Sequence, residues 1–279
     1  MSMLRRFAQV DVFTAVALRG NPLAVVIDAE GLSDQDMAAF ARWTQLSETT
    51  FLLPPTDPEA DYRVRIFTPN AELPFAGHPT LGSAHAFLAS GGDTKQPGRV
   101  TQQCAIGRVQ VKRDGQRLAF AAPPLLRSGA VDAACRAQVL DALRLPAEQL
   151  LEVVWIDNGP GWMAARLRDA ASVLALQPDF RSMHGLKLGV VGAHAAGSEC
   201  QFEVRAFVPD LGIPEDPVTG SLNAGLALWL QQAGLAPERY VAAQGAVLGR
   251  AGRVHVQRDA EATWIGGDVT PLIHGQVRL

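Results

Sequence analysis

Glu48 is the side chain of this 279-residue chain whose surroundings best suit it to move a proton. It lies in the segment Leu46-Ser-Glu-Thr-Thr-Phe51, between hydroxyl residues and an apolar run. Burial of a carboxyl group beside such a run raises its pKa towards neutrality, where the group can both remove and return a proton. The same alternation also fits an outward-facing strand residue, so the pattern alone leaves a structural role open.

Two further polar positions stand ahead of apolar segments. His78 lies in a predicted corner, Gly77-His78-Pro79, and Asp216 precedes Pro217 in a second such segment. A histidine there can polarise a substrate or shuttle protons, although a lone histidine is often only a structural group. Ser221 is a candidate N-cap residue, and capping alone would equally explain Ser83.

His78 and Asp216 each precede a segment that can form a buried helix. The run from Thr80 to Ala89 contains no charged residue, which predicts a helix without a solvent face, and a second such helix is predicted at about 221–232. The first turn of a buried helix presents backbone amides that bind anions. The sequence therefore predicts that backbone amides at the two helix starts hold a small carboxylate, near Gly77, His78 and Thr80 in the first and near Gly220 and Ser221 in the second. Asp216 and Thr219 directly precede the second start and are further candidate binding residues.

The two helix starts belong to a repeated pattern. The matched positions are Arg65, Phe67 and Pro69 with Arg205, Phe207 and Pro209 at a spacing of 140, Gly82 and Ser83 with Gly220 and Ser221 at 138, and 107–114 with 252–259 at 145. Three matches in the same order indicate two copies of one unit, each about half of the chain.

The rest of the sequence predicts many strands and few helices. Predicted strands cover 5–13, 23–27, 45–53, 62–67, two or three segments within 99–121, 150–156, a segment ending at 167, 186–192, 201–207, a hairpin within 249–267, and 274–279. Helices are predicted from a cap at Ser33 to about Trp43 and over 131–143. This order predicts an α+β fold in which a sheet wraps around a central helix, because strands and helices do not alternate regularly.

Composition narrows the classes of function. The net charge of −3 offers no basic surface for nucleic acid, and no apolar run is long enough to span a membrane. The N-terminus lacks the apolar core of a signal peptide, which predicts a cytoplasmic protein. The cysteines, Cys104, Cys135 and Cys200, form no Cys-x-x-Cys pair, so we expect small buried side chains rather than disulfides or a zinc site. Nucleotide-binding glycine loops and zinc motifs are also missing from the sequence, which favours chemistry without a cofactor or metal.

The motifs resemble those of the PhzF-like family, the phenazine-biosynthesis-type isomerases of the diaminopimelate-epimerase-like fold. The matching segments cover nearly the whole chain: Val10-Asp-Val-Phe-Thr14, Gly20-Asn-Pro22, Leu46-Ser-Glu-Thr-Thr-Phe51, Arg65-Ile-Phe-Thr-Pro69, Glu72-Leu-Pro-Phe-Ala-Gly-His-Pro-Thr80 and Glu215-Asp-Pro-Val-Thr-Gly-Ser221. The resemblance implies two similar domains, each a curved, mostly antiparallel sheet around a central apolar helix. The expected boundaries are 1–124 with about 272–279, and 125–271, with the site in the cleft between the domains.

The resemblance also assigns roles. The catalytic glutamate of the family falls on Glu48, and its substrate-contacting residues fall on His78, Asp216 and Ser221. A homodimer is expected. Related racemases carry two cysteines at the helix starts, where this chain has none, so a two-thiol racemase is disfavoured.

The sequence leaves three functions open. The first is a cofactor-independent isomerase of a small carboxylate, in which Glu48 moves a proton between carbons. The second is a non-catalytic binder of small metabolites on the same scaffold. The third is an amino-acid racemase or epimerase that uses Glu48 with an unlike second group.

Overall fold

The computed structural model describes residues 3–279 and divides the chain into two compact units. The first unit runs to Ala121 and takes up the chain again at Gly266–Leu279, and the second is Ala122–Ile265. The boundaries predicted from the sequence are 124/125 and about 271/272.

The first unit is a mixed sheet with two helices. Its strands are β1 Leu4–Val12, β2 Asn21–Val26, β3 Glu48–Leu53, β4 Tyr62–Phe67, β5 Glu72–Leu73, β6 Arg99–Cys104, β7 Gly107–Asp114, β8 Arg117–Ala121 and, after the return of the chain, β18 Val269–Arg278, and its helices are α1 Asp34–Thr44 and α2 Gly77–Ala89. Strands β2 and β3 are parallel, as are β4 and β6, whereas β1 pairs antiparallel with both β2 and β18.

The second unit has the same kind of architecture. Its strands are β9 Arg127–Ala130, β10 Glu152–Asp157, β11 Met163–Arg166, β12 Leu188–Ala193, β13 Phe202–Val208, β14 Ile213–Asp216, β15 Arg239–Gln244 and β16 Gly252–Arg258, and its helices are α3 Ala133–Leu143, α4 Ala170–Leu174 and α5 Gly220–Gln232. Strand β17 Thr263–Gly267 begins in the second unit, and its last two residues belong to the first. Short 3-10 turns occur at 147–149, 180–183, 209–211 and 246–248.

The strand pairings confirm the internal duplication. In the first unit the pairs β2–β3 and β4–β6 are parallel and β3–β4 and β6–β7 are antiparallel. In the second unit the pairs β11–β12 and β13–β15 are parallel and β12–β13 and β15–β16 are antiparallel. The two strand ladders therefore have one topology, and α2 and α5 follow equivalent strands.

Each central helix is buried because its sequence offers no polar face. Most of α2 is buried, and the helix contacts β1, β2, β3 and β8 of its own unit. Most of α5 is likewise buried, and it contacts β10 and β16. By contrast α1 is amphipathic and buries one apolar stripe of Met37, Phe40 and Ala41. Its predicted cap is confirmed, since the Ser33 hydroxyl accepts a hydrogen bond from the backbone amide of Asp36.

The predicted corner at residues 77–79 is wrong, because α2 begins at Gly77 and not at Thr80. Pro79 falls in the first turn, where a backbone N–H has no acceptor within the helix and its loss costs little. The repeat alignment that matched Gly82 with Gly220 is also wrong. Both helices begin with a glycine, so Gly77 is the equivalent of Gly220.

The capping predictions for the second helix and for Ser83 are wrong too. The N-cap of α5 is Thr219, and Ser221 is the second helical residue. Ser83 lies inside α2, where its hydroxyl donates a hydrogen bond to Thr50. The strand predicted from residue 45 begins only at Glu48, because Gln45 ends α1 in the left-handed conformation and the chain must turn before it extends.

Candidate active site

The first unit brings Glu48 and His78 together. Glu48 is the first residue of β3, and His78 is the second residue of α2. Glu48 Oε2 lies 3.4 Å from His78 Nε2, and their side chains are 15% and 4% exposed. A carboxylate that is almost enclosed and lies beside an imidazole has the components of general acid and base catalysis.

His78 is neutral at neutral pH. Burial lowers the pKa of His78 to about 3, because the imidazolium would lose its hydration inside the unit. The neighbouring Glu48 carboxylate would favour the charged form, but desolvation is the dominant influence on this fully buried ring. A neutral imidazole can donate one hydrogen bond and accept one, so it can polarise a substrate without neutralising the carboxylate.

Asn21 contacts the other nitrogen of the same imidazole. Its side-chain Nδ2 lies 3.2 Å from His78 Nδ1, and its Oδ1 accepts a hydrogen bond of 3.3 Å from the Ser47 hydroxyl. Ser47 immediately precedes Glu48 in the chain. The polar cluster of the first unit therefore contains Ser47, Asn21, His78 and Glu48.

A buried glutamine supports the start of α2. Gln102, on β6, accepts a hydrogen bond from the Tyr62 hydroxyl and donates one to Thr80 Oγ1. Thr80 in turn donates its hydroxyl and its amide to the Ala76 carbonyl. The Thr80 amide is thus occupied, and in the first turn of α2 the amides of Gly77 and His78 are the ones without an acceptor inside the helix.

In the second unit a buried glutamine likewise supports the start of α5. Gln244, on β15, accepts a hydrogen bond from the Thr219 amide and donates to the Asp216 carbonyl and to Thr219 Oγ1. Asn223 completes the cluster by donating to Gln244 Oε1 and to the Thr219 carbonyl. The Thr219 hydroxyl donates to Asp216 Oδ2 at 2.5 Å. Asp216 and Thr219, both predicted from the sequence, are therefore joined by one network.

Ser221 takes part in a neighbouring set of contacts. Its hydroxyl accepts a hydrogen bond of 3.0 Å from Trp162 Nε1, and its carbonyl accepts one of 2.9 Å from Asn158 Nδ2. Ser221 thus helps to anchor the 158–162 turn, where Asp157 Oδ1 accepts from the Gly159 and Gly161 amides. Gly220, the first residue of α5, keeps the helix start free of a side chain.

Several residues that build these two clusters are not identified by the sequence. The sequence analysis assigns no role to Asn21, which lies in the Gly20-Asn21-Pro22 motif, nor to Gln102, Trp162 or Gln244. A detectable signal existed for the glutamines, because each is a large polar residue in a strand segment that also contains apolar residues. The partners of the two glutamines lie 21 to 40 residues away in the sequence, so spacing could not reveal the contacts.

The cysteines contribute no activated thiol. Cys104 and Cys200 are buried, as predicted, whereas Cys135 is only partly so, and all three are free. Burial raises the pKa of each of these thiols, which disfavours the nucleophilic thiolate. Across residues 3–279, no cluster of three or more His, Cys, Asp or Glu residues is arranged to hold a metal ion. Helices of sufficient length and apolarity to cross a membrane are likewise missing from that part of the chain.

Comparison with known proteins gives the family of this fold and site. Residues 10–275 match the model of the phenazine biosynthesis-like protein family. Antisense-enhancing sequence 1 of Schizosaccharomyces pombe is 36% identical over 97% of this chain and 97% of its own length. Trans-2,3-dihydro-3-hydroxyanthranilate isomerase of Pseudomonas aeruginosa is 33% identical over 92% of this chain and 91% of its own length.

A solved structure agrees with these matches. A phenazine biosynthesis protein of the PhzF family from Enterococcus faecalis superposes with a TM-score of 0.82 over 99% of this chain and 100% of its own, at 24% identity. The fold is therefore α+β, of the diaminopimelate-epimerase-like type, as predicted. The chain belongs to the phenazine biosynthesis-like family and is an isomerase of the PhzF type.

Proposed function

We propose that this isomerase moves a proton between two carbon atoms of a small unsaturated carboxylate, with Glu48 as the acid and base. The observation that carries the proposal is the enclosed contact between Glu48 Oε2 and His78 Nε2. The Glu48 carboxylate removes a proton from one carbon, and the electron pair enters the conjugated system. The resulting Glu48 acid then protonates a second carbon, so the substrate is rearranged and the enzyme is unchanged. In deuterated water the proton on the Glu48 acid exchanges with solvent before this step, and deuterium enters the product.

His78 polarises the substrate in this proposal. Its neutral imidazole stabilises negative charge by donating a hydrogen bond, which does not require a change in its own protonation state. The amides of Gly77 and His78, at the start of α2, bind the substrate carboxylate. Thr80 acts through its bonds to Ala76 and Gln102, which hold that helix start in place.

The substrate class follows from the most informative relative. The isomerase of Pseudomonas aeruginosa acts, by its name, on trans-2,3-dihydro-3-hydroxyanthranilate. We propose a substrate of the same chemistry, a cyclic or conjugated carboxylate with an acidified carbon–hydrogen bond. The family resemblance assigns Asp216 and Ser221 to substrate contacts as well, and Thr219 and Gly220 support them as the cap and first residue of α5.

Solvent deuterium exchange tests the proposal. The wild type and Glu48→Gln are incubated in deuterated water with trans-2,3-dihydro-3-hydroxyanthranilate, other small unsaturated carboxylates and amino acids, and followed by NMR. We expect rearrangement with deuterium at a carbon position for the wild type, and a rate at least about 100-fold lower for Glu48→Gln. Glu30→Gln is the matched control, because Glu30 is an exposed carboxyl group of the same unit.

The outcomes separate the three functions. Equal exchange in the wild type and Glu48→Gln contradicts the role of Glu48. Exchange only at the α-carbon of amino acids contradicts the isomerase proposal and favours racemisation. A carboxylate that binds but is recovered unchanged and unlabelled favours the non-catalytic binder. An Asp216→Asn variant that raises KM by about tenfold or more supports a substrate contact by Asp216.

A further inference from the structure

The side chain of Asn21 is fully buried between a serine and the site histidine. Its exposed fraction is 0%, its Oδ1 accepts from Ser47, and its Nδ2 lies 3.2 Å from His78 Nδ1. An amide nitrogen carries hydrogens and cannot accept, so His78 Nδ1 must be the acceptor in this contact. The single proton of the neutral ring then lies on Nε2.

The contact of His78 with Glu48, on the opposite side of the imidazole ring, favours the same tautomer. His78 Nε2 faces Glu48 Oε2 at 3.4 Å. An ionised carboxylate only accepts hydrogen bonds, so a proton on Nε2 gives attraction and a lone pair there gives repulsion. The amide of Asn21 and the carboxylate of Glu48 therefore favour one tautomer from two sides.

The backbone that carries Asn21 is held in place. Asp11, which is 1% exposed, accepts a hydrogen bond of 2.9 Å from the Gly20 amide through its Oδ2. A Cβ atom on Gly20 would lie 2.3 Å from the Val12 carbonyl oxygen, so no larger residue fits there. The Gly20-Asn21 segment is thus packed closely against β1, and the Asn21 amide is presented to His78 from a fixed position.

We propose that Asn21 is a positioning residue that holds His78 as the Nε2–H tautomer, so that this N–H is directed towards Glu48 and the reacting part of the substrate. The inference deepens the proposed function and rests on it for its catalytic meaning. Its structural content, the location of one proton, can be measured without any substrate. In this view Ser47 acts through Asn21, because its hydroxyl donates a hydrogen bond to Asn21 Oδ1 and opposes rotation of the amide.

Nitrogen-15 NMR of selectively labelled histidine tests the proposal. Long-range proton–nitrogen spectra distinguish a protonated from an unprotonated ring nitrogen and separate both from the imidazolium. The chain has six histidines, and the His78 signals are identified by their loss in His78→Gln. For the wild type at pH 7 we expect a neutral His78 with the proton on Nε2. A proton on Nδ1, or a charged ring, would overturn the proposal.

Two variants test the role of the amide. Asn21→Asp replaces the donor with a group that accepts when ionised, so we expect the His78 proton to move to Nδ1 or the ring to become charged. Ser47→Ala removes only the contact at Oδ1, and we expect a smaller loss of the Nε2–H form. Asn70→Asp makes the same chemical change at an exposed turn and should leave the His78 spectrum unaltered.

Each outcome has a distinct meaning. A folded Asn21→Asp protein with His78 still in the Nε2–H form shows that Asn21 does not select the tautomer. If that variant does not fold, the wild-type spectrum and Ser47→Ala decide, and a wild-type spectrum with the proton on Nδ1 rejects the proposal. Loss of exchange in Glu48→Gln is a separate result, so either the proposed function or this inference can fail while the other stands.

Discussion

The two units place different chemistry on one framework. In the first unit Glu48 lies beside Leu23 on the neighbouring parallel strand, and in the second unit the equivalent pair is Leu188 and Met163. Leu188 is fully buried and packs in an apolar cluster, whereas Glu48 lies at a partly open position beside His78. The duplication thus repeated the framework but supplied the strand-start acid only once.

The two central helices also differ between the units, at their second residue. The first helical residue is a glycine in both units, and the second is His78 in one and Ser221 in the other. Each start is supported by a buried glutamine from the strand that follows the helix, Gln102 or Gln244. The comparison indicates that the support is the shared element and that the side chain at the second helical position is where the units specialised.

The largest effects are expected when the residue types at the starts of β3 and β12, Glu48 and Leu188, are exchanged. Glu48→Leu gives the first unit the residue type of the second, and we expect a folded protein whose proton exchange is at least about 100-fold slower. Leu188→Glu makes the reverse change in a closed apolar cluster, so we expect a loss of about 3–5 kcal/mol of unfolding free energy. Deuterium exchange and urea unfolding measure the two effects. Equal loss of unfolding free energy in both variants would contradict the contrast between a closed apolar position at Leu188 and a partly open one at Glu48.

The next largest effect is expected from replacing Gln244 or Gln102, the buried glutamines that support the helix starts. Gln244→Met leaves the buried Thr219 amide without its acceptor, and we expect a loss of about 2–3 kcal/mol of unfolding free energy. Gln102→Met removes the acceptor of the Tyr62 hydroxyl, while Thr80 keeps its bond to the Ala76 carbonyl, so we expect about 1–2 kcal/mol. Urea unfolding of both variants measures the order, and a larger cost for Gln102→Met would contradict it.

The pH dependence of stability should distinguish His78 from a surface histidine. Its pKa of about 3 in the folded protein lies below the ordinary value of 6.5, so the unfolded chain binds the additional proton between these values. The stability contribution is complete above pH 6.5 and falls by up to about 1.4 kcal/mol for each pH unit below it.

His78→Gln should therefore show a shallower loss of unfolding free energy than the wild type between pH 7 and 5. His274→Gln, at an exposed position of β18, serves as the control and should retain the slope of the wild type. Urea unfolding at several pH values measures these slopes. If His78→Gln and the wild type lose stability equally on acidification, His78 is not buried as a neutral group.

The last comparison concerns the sixth residue of each central helix, and its Gly82→Ala variant is expected to have the smallest effect. A Cβ atom on Gly225 would lie 2.5 Å from the Ile156 carbonyl oxygen, and one on Gly82 would lie 2.5 Å from a methyl group of Leu23. A strand carbonyl cannot move aside as a side chain can, so we expect Gly225→Ala to cost about 2 kcal/mol and Gly82→Ala about 1 kcal/mol. Thermal or urea unfolding measures the difference, and a higher cost at Gly82 would contradict the argument.

Much of the fold could be predicted because its signals are local. The absence of charge in the two central helices, the Ser33 cap and the strand Tyr62–Phe67 all follow from residues close to one another in the chain, and each is confirmed. The sequence prediction starts α2 at Thr80, three residues too late, because it treats Pro79 as a break in the helix. Proline is tolerated in a first helical turn, so Pro79 allowed the helix to begin at Gly77.

The candidate site was only partly accessible to the same reasoning. Glu48 and His78 could be singled out by residue type and by family resemblance, and the sequence also determined the duplication and the lack of cysteines at the helix starts. Only the tertiary structure decided which ring nitrogen faces Glu48 and that Asn21 contacts the other. Hydrogen bonds between side chains that are 26 or 57 residues apart depend on strand register and helix position, and no local pattern in the chain specifies those.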